Sequence, residues 1–263
     1  MYSLIRRLYA KIFSSNKILE KINNRIIDLA LSAKGYGNYK NLKESGEYLF
    51  IKNYLSNNSI NLCLDIGANN GDYSKLLLEH TSSKVICFEP LPFEFEKMKK
   101  NLSIFNDRCS FVNKGVGSKS ESLKIHFNKD RSSHASFSEE IKSIDYIENS
   151  ESIEIDVTSI DDFCDINNIS EIDFIKIDTE GFEKEVFEGA SKTFLKLKPK
   201  FIQIEYNLHQ LFRDTSLNYF SEKLPGYDTY QLTYNGMKKV DAKHPFSNIY
   251  MYSNFVFIRK DQK

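Results

Sequence analysis

The sequence has few cysteines, and they lie far apart. Among its 263 residues are four cysteines, Cys63, Cys87, Cys109 and Cys164, and no two of them form a C-x-x-C pair. Zinc sites and thioredoxin-like redox centres are usually recognised by such pairs, so the sequence indicates neither. Most of these cysteines lie in or beside apolar runs, where a free cysteine usually behaves as a small core hydrophobe.

The chain also has no net charge and no long apolar run. Its 36 basic side chains balance 36 acidic ones, so it lacks the positive excess that neutralises the phosphates of nucleic acids. No stretch approaches the roughly 18 to 20 apolar residues that span a bilayer, and no secretory signal opens the sequence. We therefore expect no nucleic-acid partner, no transmembrane segment and a cytoplasmic location.

Charge is nevertheless distributed unevenly. Residues 1–34, here called the basic arm, hold seven basic and two acidic side chains, a net charge of +5, and the rest of the chain carries −5. Apolar residues recur in the arm with a period near 3.6, which predicts one or two amphipathic helices. These residues are Ile5, Leu8, Ile12, Ile18, Leu19, Ile22, Ile26 and Leu29. We predict that helices over residues 1–33 cover part of the following domain or a second subunit of a homo-oligomer; weak contact with anionic membrane ranks second.

From residue 60 onward the pattern changes to short apolar runs separated by charged, helix-like stretches. This alternation is typical of strands and helices that build a doubly wound, mostly parallel α/β sheet. We therefore predict a helical extension over 1–58 and an α/β domain over 59–263. The predicted strands cover 61–66, 84–89, 109–113, 172–178, 201–206, 229–234 and 255–259, and the predicted helices cover 74–80, 92–101 and 183–197.

An insertion interrupts the predicted sheet before its fourth strand. Residues 123–127 and 152–157 alternate as the strands of a β-hairpin do, and the polar segment 128–150 lies between them. Long polar segments inside compact domains are often functional, so we predict a lid over a ligand site. His134 lies in this segment, and a solvated histidine is favoured there over a role at the acceptor.

The first predicted strand leads directly into a glycine-bearing turn. Asp65, Gly67, Asn69 and Gly71 follow the spacing D-x-G-x-N-x-G. Such a turn lets backbone approach a ligand closely and presents helix N-terminal N–H groups to an anionic group. Asp65 is placed to accept a hydrogen bond from a ligand ammonium. The G-x-G-x-x-G fingerprint of nicotinamide enzymes is missing, which argues against an oxidoreductase.

The second predicted strand ends at Glu89 and Pro90. In doubly wound folds, an acidic side chain at this position can accept hydrogen bonds from both ribose hydroxyls of an adenosine. Together with the glycine turn, Glu89 favours an adenosine-containing ligand over a purely structural turn.

Acidic residues also follow the fourth and fifth predicted strands. Asp178 and Glu180 come after the fourth strand, and Glu205 and His209 come at and just beyond the end of the fifth. The carboxyl ends of neighbouring parallel strands border one crevice, so these side chains are predicted to meet there.

Several motifs together resemble the FkbM-type methyltransferase family, over about residues 60–206. The K-x-D-x-E-G stretch that begins at Lys176 is the most family-specific of them. The segments are Leu64-Asp-Ile-Gly-Ala-Asn-Asn-Gly-Asp72, Phe88-Glu-Pro90, Thr158-Ser-Ile-Asp-Asp162, Ile175-Lys-Ile-Asp-Thr-Glu-Gly-Phe-Glu183 and Glu188-Gly-Ala190. The resemblance implies the seven-stranded Rossmann-like methyltransferase fold and S-adenosylmethionine as donor. It also implies a hydroxyl of a sugar, glycolipid or polyketide as acceptor.

With this donor, the expected cofactor-binding residues fall at the ends of the first strands. They are Asp65, Gly67, Asn69, Gly71, Glu89, Pro90 and, near the adenine, Val116. A hydroxyl acceptor must lose a proton, so we expect Asp178 to act as general base or metal ligand, supported by Glu180, Glu205 and His209. A divalent cation at Asp178 and Glu205 is possible but not favoured, because no ligand spacing is recognisable.

Other functions stay open at this stage. One is a non-catalytic module that binds an adenosine ligand and regulates a partner. Another is methylation of a polyketide or other small-molecule hydroxyl. We favour O-methylation of a sugar, glycan or glycolipid, because simple cofactor binding does not need several carboxylates in the crevice.

Overall fold

A computed structural model describes residues 2–14, 17–129, 134–140, 144 and 147–262. Its strands include those predicted in the α/β domain. They are β1 (Leu62–Ile66), β2 (Lys84–Phe88), β3 (Cys109–Val112), β4 (Gly115–Val116), β5 (Glu121–Phe127), β6 (Glu151–Thr158), β7 (Phe174–Ile177), β8 (Phe201–Tyr206), β9 (Tyr227–Thr233), β10 (Gly236–Lys239) and β11 (Ser253–Arg259).

The main sheet has the strand order β10-β9-β11-β8-β7-β1-β2-β3. The five strands from β8 to β3 are parallel, whereas β11 pairs antiparallel with both β8 and β9. The doubly wound, mostly parallel fold class is therefore confirmed, with β10 as an eighth strand beyond the seven predicted. The predicted hairpin forms as β5 and β6, and β4 joins them in a separate three-stranded sheet.

The helices are numbered in chain order, and the first two lie in the basic arm. The helix bounds are α1 (Tyr2–Phe13), α2 (Lys17–Ala33), α3 (Glu47–Asn53), α4 (Asp72–His80), α5 (Pro92–Asn101), α6 (Ile160–Ile166), α7 (Glu183–Glu188), α8 (Ser191–Lys196), α9 (His209–Phe212) and α10 (Leu217–Glu222). Local sequence explains several helix starts: Pro92 occupies the first turn of α5, and the Ser159 hydroxyl accepts the Asp162 N–H at the start of α6.

The single helix predicted over 183–197 is wrong, because α7 ends before Gly189 and α8 begins at Ser191. A side chain at Gly189 would place its Cβ 2.1 Å from the carbonyl oxygen of Gly117. The glycine allows close packing beneath β4, and a glycine weakens helix continuation.

Two hydrophobic clusters cover the faces of the sheet. Leu64 and Ile177 belong to one cluster, and Cys63 and Phe174 belong to the other. This alternation follows from the opposite orientation of successive side chains along a strand. All four cysteines are free and buried, as expected for core residues.

The N-terminal segment divides into two differently packed parts. Helices α1 and α2 form as predicted, and neither contains a fully buried residue. Leu31, near the end of α2, packs partly buried against a core cluster of the α/β domain. Contact of the rest of the arm with this domain or with a second subunit stays a prediction. In contrast, Phe50 and Ile51 of α3 are buried in a cluster on the sheet. The division at residues 58 and 59 stays a prediction, and the packing of α3 favours a boundary nearer the arm. Among the described residues, no helix is long and apolar enough to cross a membrane.

Candidate active site

A cleft opens at the carboxyl ends of β1, β2 and β7, beside the switch point of the sheet. Its empty volume is about 720 Å³, including its opening to solvent. Seven of the predicted site residues line it: Gly67, Asn69, Glu89, Pro90, Val116, Asp178 and Glu180. The structure thus brings the residues predicted for the donor and those predicted for catalysis to one cavity.

The glycine turn lies directly against the loop that follows β7. Gly67 has a φ of +79°, and a Cβ there would lie 1.8 Å from the carbonyl oxygen of Asp178. The N–H groups of Gly67 and Ala68 both donate to the carbonyl of Phe88. Gly67 therefore allows three strand ends to meet at the floor of the cleft. Gly71 does not line the cleft; it precedes α4 with a φ of +87°, and its Cα faces Leu102 and Met98.

Glu89 is buried at the rim of this turn. Its Oε2 accepts the Asn69 N–H at 2.8 Å, and its Oε1 accepts the Leu91 N–H at 2.9 Å. Burial outweighs these bonds and raises the pKa of Glu89 to about 7. Each carboxylate oxygen can accept a second hydrogen bond, so the group keeps the capacity to bind two hydroxyls.

Asp65 is not part of the cleft wall. Its side chain is fully buried, its Oδ2 accepts the Ser74 hydroxyl at 2.6 Å, and its Oδ1 lies 3.9 Å from the Lys176 ammonium. Its contact with a ligand ammonium stays a prediction, and these partners instead fix β1 to α4 and β7.

A cluster of carboxylates lies beside the cleft. Oxygens of Asp178, Glu180 and Glu205 lie within 4.8 Å of one another, although Glu205 does not line the cavity itself. Burial, followed by the nearby Asp178, raises the pKa of both Glu180 and Glu205. Repulsion among these carboxylates can be relieved by protonation or by a bound cation.

His209 lies next to this cluster at the start of α9. Its Nδ1 is 3.2 Å from Glu180 Oε2, and burial is the main cause that lowers its pKa to about 4. The imidazole is therefore neutral at physiological pH. It does not line the cavity.

Lys176 is a central residue to which the sequence assigned no role. Its buried ammonium donates to Asp178 Oδ2 at 2.8 Å and lies over the ring of Tyr73. Burial lowers the pKa of Lys176, but the charges of Asp178, Asp65 and Glu47 outweigh it and raise the pKa above the usual range. Lys176 thus fixes the orientation of Asp178.

Glu47 joins this network from α3. Gln203 Nε2 donates to Glu47 Oε1 at 2.7 Å, and Tyr73 donates its hydroxyl to Gln203 Oε1 at 2.6 Å. The Ser45-Gly-Glu47 stretch carries no catalytic spacing, so the sequence offered no sign of this contact across 156 positions.

The acidic loop after β7 is rigidly connected. Glu183 accepts the backbone N–H groups of Thr179 and Gly181 and the side-chain amide of Gln210. Glu180 adopts the left-handed region with a φ of +52°, uncommon for a residue with a side chain. These bonds hold Glu180 in a conformation that it would otherwise rarely adopt.

Part of the 128–150 segment borders the cleft. Ala135 and Phe137 line it, and the Ser136 hydroxyl donates to the Glu180 carbonyl at 2.7 Å. His134 does not line the cavity. The lid stays a prediction, and residues 130–133, 141–143, 145 and 146 lie outside the described residues.

Two methyltransferases are among the proteins with sequences similar to this chain. A 2-O-methyltransferase, NoeI of Sinorhizobium fredii, is 23% identical over 176 residues, which cover 63% of this chain and 71% of that protein. Methyltransferase 1 of Beauveria bassiana is 23% identical over 141 residues, 48% of this chain and 57% of that protein. Among solved structures, an O-methyltransferase from Bacillus cereus in complex with SAH matches with a TM-score of 0.48 and 14% identity, covering 97% of both chains.

The family model of the methyltransferase FkbM domain matches residues 65–228, more than half of the chain. The match contains the glycine turn, Glu89 and the carboxylate cluster. The chain therefore belongs to the FkbM methyltransferase domain family.

Proposed function

We propose that this protein transfers a methyl group from S-adenosylmethionine to a hydroxyl of a sugar, glycan or glycolipid. The observation that carries the proposal is the shared cleft, in which Glu89 and the glycine turn face the same cavity as Asp178 and Glu180. The similarity to NoeI, named as a 2-O-methyltransferase, supports a hydroxyl acceptor.

The residues at the rim fit the donor. Glu89 retains acceptor capacity for the two ribose hydroxyls, and Val116 offers an apolar contact for the adenine. The backbone from Gly67 to Asn69 would border the methionine part of the donor. Asp65 and Gly71 would then support this turn from behind.

When bound, S-adenosylmethionine supplies a methyl group that needs no further activation. The protein's remaining tasks are to position the acceptor and to remove its proton. We assign proton removal to Asp178, because Lys176 holds its carboxylate in place at the cleft wall. Glu180, Glu205 and His209 lie close enough to support the acceptor or to pass the proton on.

We favour a mechanism without a metal ion. The Lys176 ammonium already neutralises Asp178, and the raised pKa values of Glu180 and Glu205 allow protons to reduce the remaining repulsion. If a divalent cation were bound instead, Asp178, Glu180 and Glu205 would hold it and it would lower the pKa of the acceptor hydroxyl. Full activity after treatment with a strong chelator is the result that we expect.

The test of the function is a transfer assay with a methyl-labelled donor. The purified chain is incubated with a neutral oligosaccharide, a polyketide alcohol or transfer RNA, and we expect label only in the oligosaccharide. Asp178→Asn should lower the rate of labelling at least about a hundredfold, and Glu96→Gln, at an exposed position of α5, should leave it unchanged. Binding of the donor without transfer to any acceptor would support the regulatory module instead.

A further inference from the structure

The basic arm presents the largest group of exposed apolar side chains in the described structure. Eleven of the nineteen exposed large apolar residues lie in α1 and α2. Leu4 of α1 is 62% exposed and Leu29 of α2 is 70% exposed. The other eight are spread along the rest of the described chain, singly except for the adjacent Leu211 and Phe212, as is usual for protein surfaces. A concentration of this size marks a contact surface.

Each helix separates its apolar side from its charged side. In α1, Ile5, Leu8 and Ile12 follow helical spacing, while Arg6, Arg7 and Lys11 fall on the other side. The 12 residues of α1 contain no acidic side chain. A partner that binds this surface must therefore offer both apolar groups and negative charge.

A second copy of the chain is a poorer match than an anionic lipid surface. The arm of a second copy would bring another +5 against the first. The α/β domain of a second copy is acidic, but it exposes no comparable concentration of apolar side chains among the described residues. A bilayer with anionic headgroups offers negative charge and an apolar interior side by side at its surface.

Helix dimensions also suit an orientation along a membrane surface. At 12 residues, α1 extends about 18 Å, which is less than the roughly 30 Å of bilayer hydrocarbon. Tyr9 of α1 donates its hydroxyl to Asn23 of α2 at 2.6 Å, so the two helices contact each other within the arm.

We propose that the basic arm docks this protein on membranes rich in anionic phospholipid, with the apolar side of α1 inserted between headgroups. This docking does not depend on the donor or the acceptor proposed above.

The test is co-sedimentation of the full chain with vesicles of phosphatidylcholine alone or with one third phosphatidylglycerol. We expect binding only to the anionic vesicles, and release by high salt. The Arg6→Gln/Arg7→Gln variant should bind on the order of 25-fold more weakly, about fivefold for each cation. The Ile5→Ser/Leu8→Ser variant should bind at least about tenfold more weakly. A control, Lys100→Gln/Lys238→Gln, removes the same charge from exposed positions of the α/β domain and should bind normally.

Three results would overturn the proposal. The first is no binding, or equal binding to both kinds of vesicle. The second is binding that the Ile5→Ser/Leu8→Ser variant does not weaken, which would leave only surface adsorption by charge. The third is a dimer in sedimentation equilibrium that this variant converts to a monomer, because a second copy would then cover the apolar side. Since α1 has no buried residue, these variants should keep the circular dichroism and thermal unfolding of the α/β domain.

Discussion

The protonation of Glu89 should control the affinity of the donor site. Its pKa of about 7 places the change between neutral and charged carboxyl in the physiological range. Only the charged form offers all its oxygen lone pairs to the ribose hydroxyls. The ionised fraction of Glu89 rises from about one tenth at about pH 6 to about nine tenths at about pH 8. The affinity for the donor should therefore increase about tenfold over this interval.

S-adenosylhomocysteine is the suitable probe, because its neutral sulfur does not respond to the charge of Glu180 or Glu205. Isothermal titration calorimetry between about pH 6 and about pH 8 gives the dissociation constant directly. Glu89→Gln preserves the size of the side chain and removes the ionisation. At about pH 8 it should weaken binding by about 1.5 to 3 kcal/mol, the usual contribution of hydrogen bonds to a charged group.

The variant should also lose the pH dependence of binding. A tenfold pH effect that persists in Glu89→Gln would refute the reasoning, and so would unchanged affinity in the variant. Thermal unfolding provides an independent check. The folded-state pKa of Glu89 is raised from 4.5 to about 7. The folded state therefore holds the Glu89 proton more tightly than the unfolded state does. The free energy of unfolding of the unliganded protein should fall by up to about 3 kcal/mol as pH rises from about 4.5 to about 7.

Three further substitutions test the network around the cleft. Asp178→Asn should lower turnover by roughly 10² to 10⁴ and change the affinity for S-adenosylhomocysteine by less than about twofold. If the Asp178→Asn variant stays active and Glu205→Gln is inactive, the general base is Glu205 on β8. Gly67→Ala should destabilise the fold in thermal denaturation more than Gly236→Ala, because both have positive φ but only a Cβ at Gly67 meets backbone. Lys176→Met should cost about 3 to 5 kcal/mol in chemical denaturation, and less at low pH, because it leaves buried carboxylates without their cation. An equal cost at every pH would contradict that account of Lys176.

Sequence patterns predicted the parallel part of the sheet because its strands are buried on both faces. β7, for example, is buried along its whole length and interrupts its apolar run only with Lys176. The edge strand β10 was missed for the opposite reason: it is four residues long, polar and partly exposed. Its Gly-Met-Lys-Lys sequence has the character of a protected sheet edge and gives no periodic signal.

The sequence predicted only those residues of the cleft that directly follow the ends of the parallel strands. The fold carries the end of each parallel strand to the same edge, so the spacing around Gly67, Glu89 and Asp178 sufficed to predict that they meet. Phe137 reaches the cleft from the inserted segment, and Glu47 reaches Gln203 from a helix before the sheet. Such contacts depend on how loops and helices fold back over the sheet. The sequence can therefore identify the groups that bind and react, and its K-x-D-x-E-G motif includes Lys176. The roles of Lys176 and Glu47 in orienting those groups are recognised only when the packing is known.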